Sequence, residues 1–288
     1  MKILEGKTLA EKLRAPLKER AQNVAAKLGR KAHLVAIGWR GDYGAFYYLN
    51  KEAQAAKKTG IDADVVLIDE KTPQEAFLKL LGAVDCDDNI DALLVPRPLP
   101  PQLQDVNIAP LFNPAQDIDG QGVFSMGRLF ICKTWEDICS LKTFTPCCAM
   151  AVMRLLDYHK IALAGKRVAV IGRSNIVGGP LSKMLLCKDA TVTVCHSKTK
   201  NLKEITLQND IVISAAGVLK LVKNDMLKKG AAVIDVGTNC DNGVFCGDAD
   251  FDTIKVNCPI SPVPGGVGPI TLACLLENII ISAERKIK

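Results

Sequence analysis

Aromatic side chains are scarce in this 288-residue chain, at 5% against 48% hydrophobic residues in all, so any core must be filled mainly by aliphatic side chains. No C-x-x-C pair occurs among the 11 cysteines, their number is odd, and Cys147 and Cys148 are adjacent. That pattern excludes a disulfide scaffold and the common zinc and thiol-redox motifs. It fits reduced thiols serving as small apolar residues in a cytoplasm. The opening Met1-Lys2-Ile3-Leu4-Glu5-Gly6 has no apolar stretch behind its basic residue, so no secretory leader is expected. No segment reads as the roughly 20 apolar residues of a membrane span. Basic runs interleaved with aromatics, internal repeats and low-complexity segments are missing too. Neither a membrane nor a nucleic acid is an expected partner, and no metal site is expected.

What is present is alternation. Apolar runs alternate with helical patterns, which implies an α/β protein with parallel sheets. Strands are expected over 33–38, 64–68 and 92–95, with a helix over about 44–59 closed by Gly60 and another over about 73–81. Pro96-Arg97-Pro98-Leu99-Pro100-Pro101 cannot be sheet interior, because proline donates no N–H to a ladder. It follows a buried-looking strand directly, where open α/β sheets place ligand crevices. Residues 113–145 read as irregular, and Thr145-Pro146 reads as cap and first turn of a helix reaching Tyr158. A second series of strands follows over 167–171, 191–195, 210–214 and 232–236, then a last helix over about 269–286. Two domains are expected: 1–140 with 270–288 folded back onto it, and 141–269. The net charge of +6 is scattered, and either a solvated basic surface or a field drawing small anions accounts for it.

Gly172-Arg173-Ser174-Asn175-Ile176-Val177-Gly178-Gly179-Pro180 lies between an expected strand and helix, where backbone N–H groups can meet a phosphate. Ser174 stands where G-x-G-x-x-G has its second glycine, so a plain strand-to-helix turn stays open as the alternative. The next strand runs into Cys195-His196-Ser197-Lys198-Thr199, with no carboxylate to bind ribose hydroxyls as NAD enzymes do. Arg173, Ser197 and Lys198 suit a 2′-phosphate, which favours NADP over NAD. His196 either touches that phosphate or is a hydrogen-bonded loop histidine. Tyr47-Tyr48-Leu49-Asn50-Lys51 sets a phenol and an ammonium one helical turn apart, on one face. Either they address one substrate, or a packed tyrosine adjoins a solvated lysine. Short-chain dehydrogenases share the spacing, but there it follows the nucleotide-binding strands, and here it precedes them. Asp117-Ile118-Asp119-Gly120 lacks the spaced oxygen ligands of a calcium loop and reads as functional carboxylates or as a turn. Ser261-Pro262-Val263-Pro264-Gly265-Gly266-Val267-Gly268-Pro269 is a chain reversal or a side-chain-poor surface for a flat ligand.

Together these segments resemble the methylenetetrahydrofolate dehydrogenase/cyclohydrolase family, over nearly the full length and in the family's order. The loop at 172–180 and the glycine-proline turn are the most specific elements, supported by Pro98-Leu99-Pro100, the Asp117–Gly120 tetrad and Thr145-Pro146. The resemblance implies a folate-binding domain, a Rossmann-like NADP domain and a homodimer. It implies oxidation of 5,10-methylenetetrahydrofolate and hydrolysis of the methenyl product to 10-formyltetrahydrofolate, on polyglutamylated folates, within one-carbon metabolism and purine biosynthesis. It makes Lys51 the catalytic lysine, partly withdrawn from water to accept a proton. Tyr47 becomes the ring against the folate and Asp119 the pterin anchor. Pro98, Leu99, Pro262, Gly265 and Gly266 would line the substrate, while Gly172, Arg173, Ser174, Ile176, Val177, Ser197 and Thr238 hold NADP. The chain departs from the family's Val-Gln-Leu-Pro-Leu-Pro: Pro96 takes the place of the glutamine that accompanies the lysine, and Arg97 follows. Gly44, Gln116 and Phe144 replace a usual serine, lysine and cysteine. Losing one hydrogen bond of about 1.5–3 kcal/mol beside Lys51 would slow hydrolysis about 10- to 100-fold. The alternative is therefore a dehydrogenase with weak or absent cyclohydrolase.

Overall fold

The computed structural model describes residues 2–287 apart from position 242. From the N-terminus run α1 (Lys7–Arg14), α2 (Leu17–Leu28), β1 (His33–Trp39), α3 (Tyr43–Thr59), β2 (Asp62–Ile68), α4 (Gln74–Asp85) and β3 (Ala92–Leu94). Then follow α5 (Val123–Ile131), α6 (Trp135–Cys139), α7 (Cys147–Tyr158), β4 (Arg167–Ile171), α8 (Gly178–Leu186), β5 (Thr191–Cys195), α9 (Leu202–Leu207) and β6 (Ile211–Ser214). The last elements are β7 (Ala232–Asp235), β8 (Asn239–Asp241), β9 (Val244–Cys246), α10 (Phe251–Ile254) and α11 (Val267–Glu284). The chain forms two compact units. One holds residues up to Lys12, Arg128–Lys142 and Pro146–Ala273; the other holds Leu13–Gly127, Thr143–Thr145 and the chain from Cys274 on.

The second of these contains a parallel sheet ordered β2-β1-β3, with His33 opposite Asp62 and Leu34 opposite Ala92. Five consecutive residues of β1 are buried, as a central parallel strand covered on both faces requires. Val35, Ile37 and Leu93 pack with Phe77 and Leu81 of α4 and with Leu99 and Leu103 from the proline-rich segment. Asp91 lies fully buried at the foot of this sheet. Burial alone would raise its carboxyl. Arg30, which donates at 2.7 and 2.9 Å, Lys286 and the His33 N–H instead hold it below the ordinary range.

The other unit carries a parallel sheet ordered β5-β4-β6-β7 and a small antiparallel hairpin, β8-β9. Ala169, Ile171, Val212 and Val233 pack with Ile254 and Ile260. The parallel α/β architecture agrees with the alternation in the sequence, while several elements differ from expectation. Residues 113–145 are not wholly irregular: they contain α5 and α6. α6 is set by a capping box, in which Thr134 accepts from the Asp137 N–H and the Asp137 carboxylate accepts from the Thr134 N–H. α5 exposes Val123, Phe124, Phe130 and Ile131, an apolar stripe turned outward where sequence patterning expects a buried one. Pro146 rather than Thr145 caps α7, without a side-chain bond. α11 begins at Val267, and its 18 residues, of mean hydropathy 1.4, are long and apolar enough to cross a membrane. Ala273, Leu276, Ile279, Ile280 and Ala283 are instead buried within the protein, as in a core helix.

Candidate functional site

In the unit built on β2-β1-β3, the segments that follow β1 and β3 leave the same carboxyl end of a parallel sheet, where such sheets hold ligands. α3 starts there. Asp42 caps it by accepting from the Ala45 N–H at 2.7 Å, and Gly60, left-handed at φ 95°, closes it. Leu49, Ala53 and Ala56 face the core, so Tyr47 and Lys51 project from the other side. The Lys51 Nζ lies 4.4 Å from the Tyr47 ring centroid, and the Tyr43 ring stacks on Tyr47 at 6.3 Å. The shared face of the Tyr-x-x-x-Lys pair is thus present. Lys51 is exposed, however, so the withdrawal from water expected of it is not a property of the chain alone.

The Gln116 carbonyl accepts from the Leu93 N–H at 2.9 Å and aligns the following acidic segment with β3. Its two carboxylates part company. Asp117 is buried and turns the chain, accepting from the Gln121 and Gly122 N–H groups at 2.8 and 2.9 Å; burial pushes its carboxyl up to about 6. Asp119 is half-buried, accepts from the Gln121 side-chain amide at 2.7 Å, and lies near enough to Glu52 of α3 for its charge to act there. Glu52, next to Lys51, is a residue that sequence reasoning missed. Burial and then the charge of Asp119 push its carboxyl up to about 8. Nothing local marked it, since one more charged residue on a helix reads as a solvated one. Leu99 sends its side chain into the core, Pro98 is exposed, and Pro96 and Arg97 are half-buried. Gln116 is buried, its amide donating to the Val84 and Ile90 carbonyls, so it supports structure where the family has lysine.

In the unit built on β5-β4-β6-β7, the loops after the strands lie side by side. The Gly172 N–H donates to the Cys195 carbonyl, Ala215 to Ile171 and Val236 to Ser214, each at 2.8 Å. Gly172 has φ 123°, and a Cβ there would fall 2.3 Å from the Ala215 carbonyl oxygen. A Cβ on Gly178, the first residue of α8, would fall 2.1 Å from the Gly172 carbonyl oxygen. Only glycine at both positions brings the start of α8 this close to the end of β4. Arg173 and Ser174 are exposed on the turn, with Ile176 and Val177 half-buried; the Ser174 hydroxyl accepts from the Val177 N–H at 3.2 Å. Ser197 and Lys198 are exposed beyond β5, and Thr238 beyond β7. His196 accepts from the Lys198 N–H at 3.2 Å through Nδ1, which is the hydrogen-bonded loop reading of that histidine.

Segment 259–261 runs parallel beside β7, with the Ser261 N–H donating to Val233 at 3.0 Å, so 262–266 extends past the same carboxyl end. Pro262 is half-buried there, and Gly265 and Gly266 are buried against the N-terminal segment, where the Gly6 N–H donates to Gly265 at 2.8 Å. A cavity of about 330 Å³ lined by Lys2, Lys166, Asp210 and Lys228 sits at the opposite, amino end of these strands and takes no part. A glycine-only cradle at a helix start, with cationic and hydroxyl side chains and no carboxylate after β5, fits a dinucleotide carrying an extra phosphate. Tyr47, Lys51 and Asp119 are thus gathered at one sheet, and Gly172 to Val177, Ser197, Thr238 and the glycine-proline turn at the other.

Comparison with known proteins extends these observations. The catalytic-domain model of the tetrahydrofolate dehydrogenase/cyclohydrolase family matches residues 4–119, and its NAD(P)-binding-domain model matches residues 146–287. The bifunctional protein FolD of Elusimicrobium minutum is 54% identical over 287 residues, covering 99% of this chain and 100% of that protein. The crystal structure of the bifunctional enzyme FolD, methylenetetrahydrofolate dehydrogenase/cyclohydrolase, from Campylobacter jejuni has a TM-score of 0.90 at 38% identity, covering 99% of each chain. The methylenetetrahydrofolate dehydrogenase-cyclohydrolase (FolD) of Trypanosoma brucei, complexed with NADP cofactor and inhibitor, also reaches 0.90, at 32% identity over 99% of this chain and 98% of that one. With matches over both halves and along its whole length, this chain belongs to the tetrahydrofolate dehydrogenase/cyclohydrolase family.

Proposed function

We propose that this chain oxidises 5,10-methylenetetrahydrofolate to 5,10-methenyltetrahydrofolate with NADP and hydrolyses that product to 10-formyltetrahydrofolate. Residues 1–140 with 270–288 bind the folate, and 141–269 bind the nucleotide. The observation that carries this reading is the Lys51 ammonium 4.4 Å over the Tyr47 ring, on the face of α3 turned away from the core. Eleven cysteines with no disulfide among the described residues support a cytoplasmic setting, and the scattered net charge of +6 supports polyglutamylated folates as substrates. β5, an edge strand with Val194 exposed, supports a homodimer. The products would feed one-carbon metabolism, purine biosynthesis included.

Tyr47 offers the face of its ring to the flat pteridine, and Asp119 accepts hydrogen bonds from the pterin amino and ring N–H groups. Pro98, the Leu99 backbone, Pro262, Gly265 and Gly266 offer surfaces with few side-chain atoms to the substrate. Arg173 and Ser197 hold the extra phosphate, the turn at Gly172, Ser174, Ile176 and Val177 receives the diphosphate, and Thr238 contacts the ribose beyond β7. NADP, when bound, supplies the acceptor for the hydride that leaves the methylene bridge. In the second step water adds to the methenyl carbon and one of that carbon's two bonds to nitrogen breaks. The formyl group stays on the other nitrogen; of the water's two protons, one goes to the nitrogen that is released and the other to the Lys51 amine. The cover that Lys51 lacks in the chain alone comes from the folate stacked on Tyr47.

A spectrophotometric assay of both steps, with NADP and with NAD, tests the reading. NADPH should form from 5,10-methylenetetrahydrofolate, and decay of 5,10-methenyltetrahydrofolate should outrun the buffer rate. Absence of NADPH formation rejects the dehydrogenase; decay no faster than buffer rejects the cyclohydrolase. Lys51→Met should still bind NADPH and lose hydrolysis, and unchanged hydrolysis would remove that lysine from the mechanism.

A further inference from the structure

Asp235 and Asp248 are buried in the nucleotide-side unit, at 3% and 0% exposure, and among the described residues neither pairs with a lysine or arginine. They interlock. A Cβ on Gly237 would fall 2.0 Å from Asp248 Oδ1, and one on Gly247 would fall 2.0 Å from Asp235 Oδ2, so each carboxylate fills the space a side chain would need. Asp235 accepts from the Gly237, Asp248 and Ala249 N–H groups at 3.1, 2.9 and 2.8 Å. Asp248 accepts from the Ala216, Gly217 and Val218 N–H groups at 2.7, 3.2 and 2.9 Å, from the Ser214 hydroxyl at 2.9 Å and from the Asn239 amide at 3.0 Å.

Carboxylates buried without a cation are a costly way to hold a core together, and well-packed apolar residues do so at least as well. What these two join is specific. Three of the N–H groups on Asp248 belong to the loop after β6, and the Asn239 amide belongs to the chain leaving β7. Ala215, in the first loop, is the residue whose carbonyl lies against Gly172 in the phosphate turn. Thr238 lies between Gly237, held by Asp235, and Asn239, held by Asp248. In a sheet ordered β5-β4-β6-β7 the phosphate turn follows β4 and the adenosine end faces β5. The loops after β6 and β7 therefore fall on the nicotinamide side.

We infer that Asp248 is a positioning residue for the nicotinamide half of the cofactor, locking loop 215–218 and loop 236–239 into one arrangement, with Asp235 as its brace. The inference rests on the NADP reading above. It is tested in the full chain with Asp248→Asn and with Asn239→Ala, which cuts only the tie to the loop after β7. The readouts are NADPH affinity by fluorescence titration, amide hydrogen exchange at 216–218, the thermal midpoint, and KM for NADP beside KM for the folate. Asp248→Asn should weaken NADPH binding about tenfold, as losing a charge-assisted hydrogen bond does, and speed exchange at 216–218. Asn239→Ala should weaken binding about threefold at an unchanged midpoint, raising KM for NADP and not KM for the folate. A role confined to fold stability would lower the midpoint and move both KM values together. NADPH affinity within about twofold of wild type in Asn239→Ala, and in any Asp248→Asn that folds, overturns the inference. A wild-type chain that binds no NADPH overturns the cofactor reading instead.

Discussion

Glu52 stands one position beyond Lys51, and its carboxyl is pushed up to about 8, by burial first and by the charge of Asp119 second. The folded chain therefore keeps a proton there that the unfolded chain, with an ordinary value of 4.5, releases. Stability from this group is complete below the unfolded value and is lost as pH rises through 8. Asp117 and Asp235, both pushed up to about 6, shape the slope at lower pH, so the window from about pH 7 to 9 belongs to Glu52. The thermal midpoint should fall across that window, and Glu52→Gln should flatten the fall; an equal slope in the variant would reject the assignment. A neutral Glu52 also leaves the negative charge of this pair on Asp119. Pro96 stands where the resemblance placed the glutamine that accompanies the lysine. Pro96→Gln restores a side-chain amide and should raise methenyl hydrolysis about tenfold in a decay assay, if one hydrogen bond to Lys51 is regained. Neither residue could be weighed in one dimension. The Tyr47 and Lys51 spacing is a local property of a helix, whereas the state of Glu52 depends on a carboxylate 67 positions away (119 − 52).

α3 carries Tyr47 and Lys51 in its first turns, so the cap at Asp42 sets where both stand. Asp42→Ala removes the bond to the Ala45 N–H and should cost about 1 kcal/mol in a denaturant titration. It should also raise KM for the folate more than KM for NADP, because fraying begins one turn from Tyr47. The turn from β4 to α8 is stricter. Gly172→Ala meets both a positive φ of 123° and an Ala215 oxygen at 2.3 Å, a cost of about 2–4 kcal/mol that moves the loop or the helix. NADPH titration should show affinity lost at least tenfold or so, and unaltered affinity would mean that the turn is not the phosphate site. Elements of this kind were legible wherever the signal is contiguous: the glycine at 60, the glycine turn at 172 and the apolar strands. α5 and α6 were not, because α5 leaves four large apolar residues exposed and α6 is short enough to be read only from its cap.

None of the eleven cysteines is joined in a disulfide among the described residues, and Cys86, Cys139 and Cys240 are the exposed ones. A thiol titration of the native protein should find three fast-reacting groups and the rest slow until denaturant is added. Reductant should leave the thermal midpoint unmoved; a lower midpoint in reductant would reveal a cross-link. The sequence by itself determined the alternation of strands and helices, the two glycine-rich turns, the lysine one helical turn from a tyrosine, and the missing acid after β5. Each is written in residues a few positions apart, and local sterics and hydrogen bonding suffice to express it. Only the tertiary structure decided that Asp117 is buried as a turn residue while Asp119 is half-buried, that Leu99 belongs to the core, that Glu52 keeps its proton, and that Asp248 gathers the loops after β6 and β7. Those outcomes depend on which distant groups surround a side chain and how much water they exclude, and desolvation is a property of the surroundings, not of the residue.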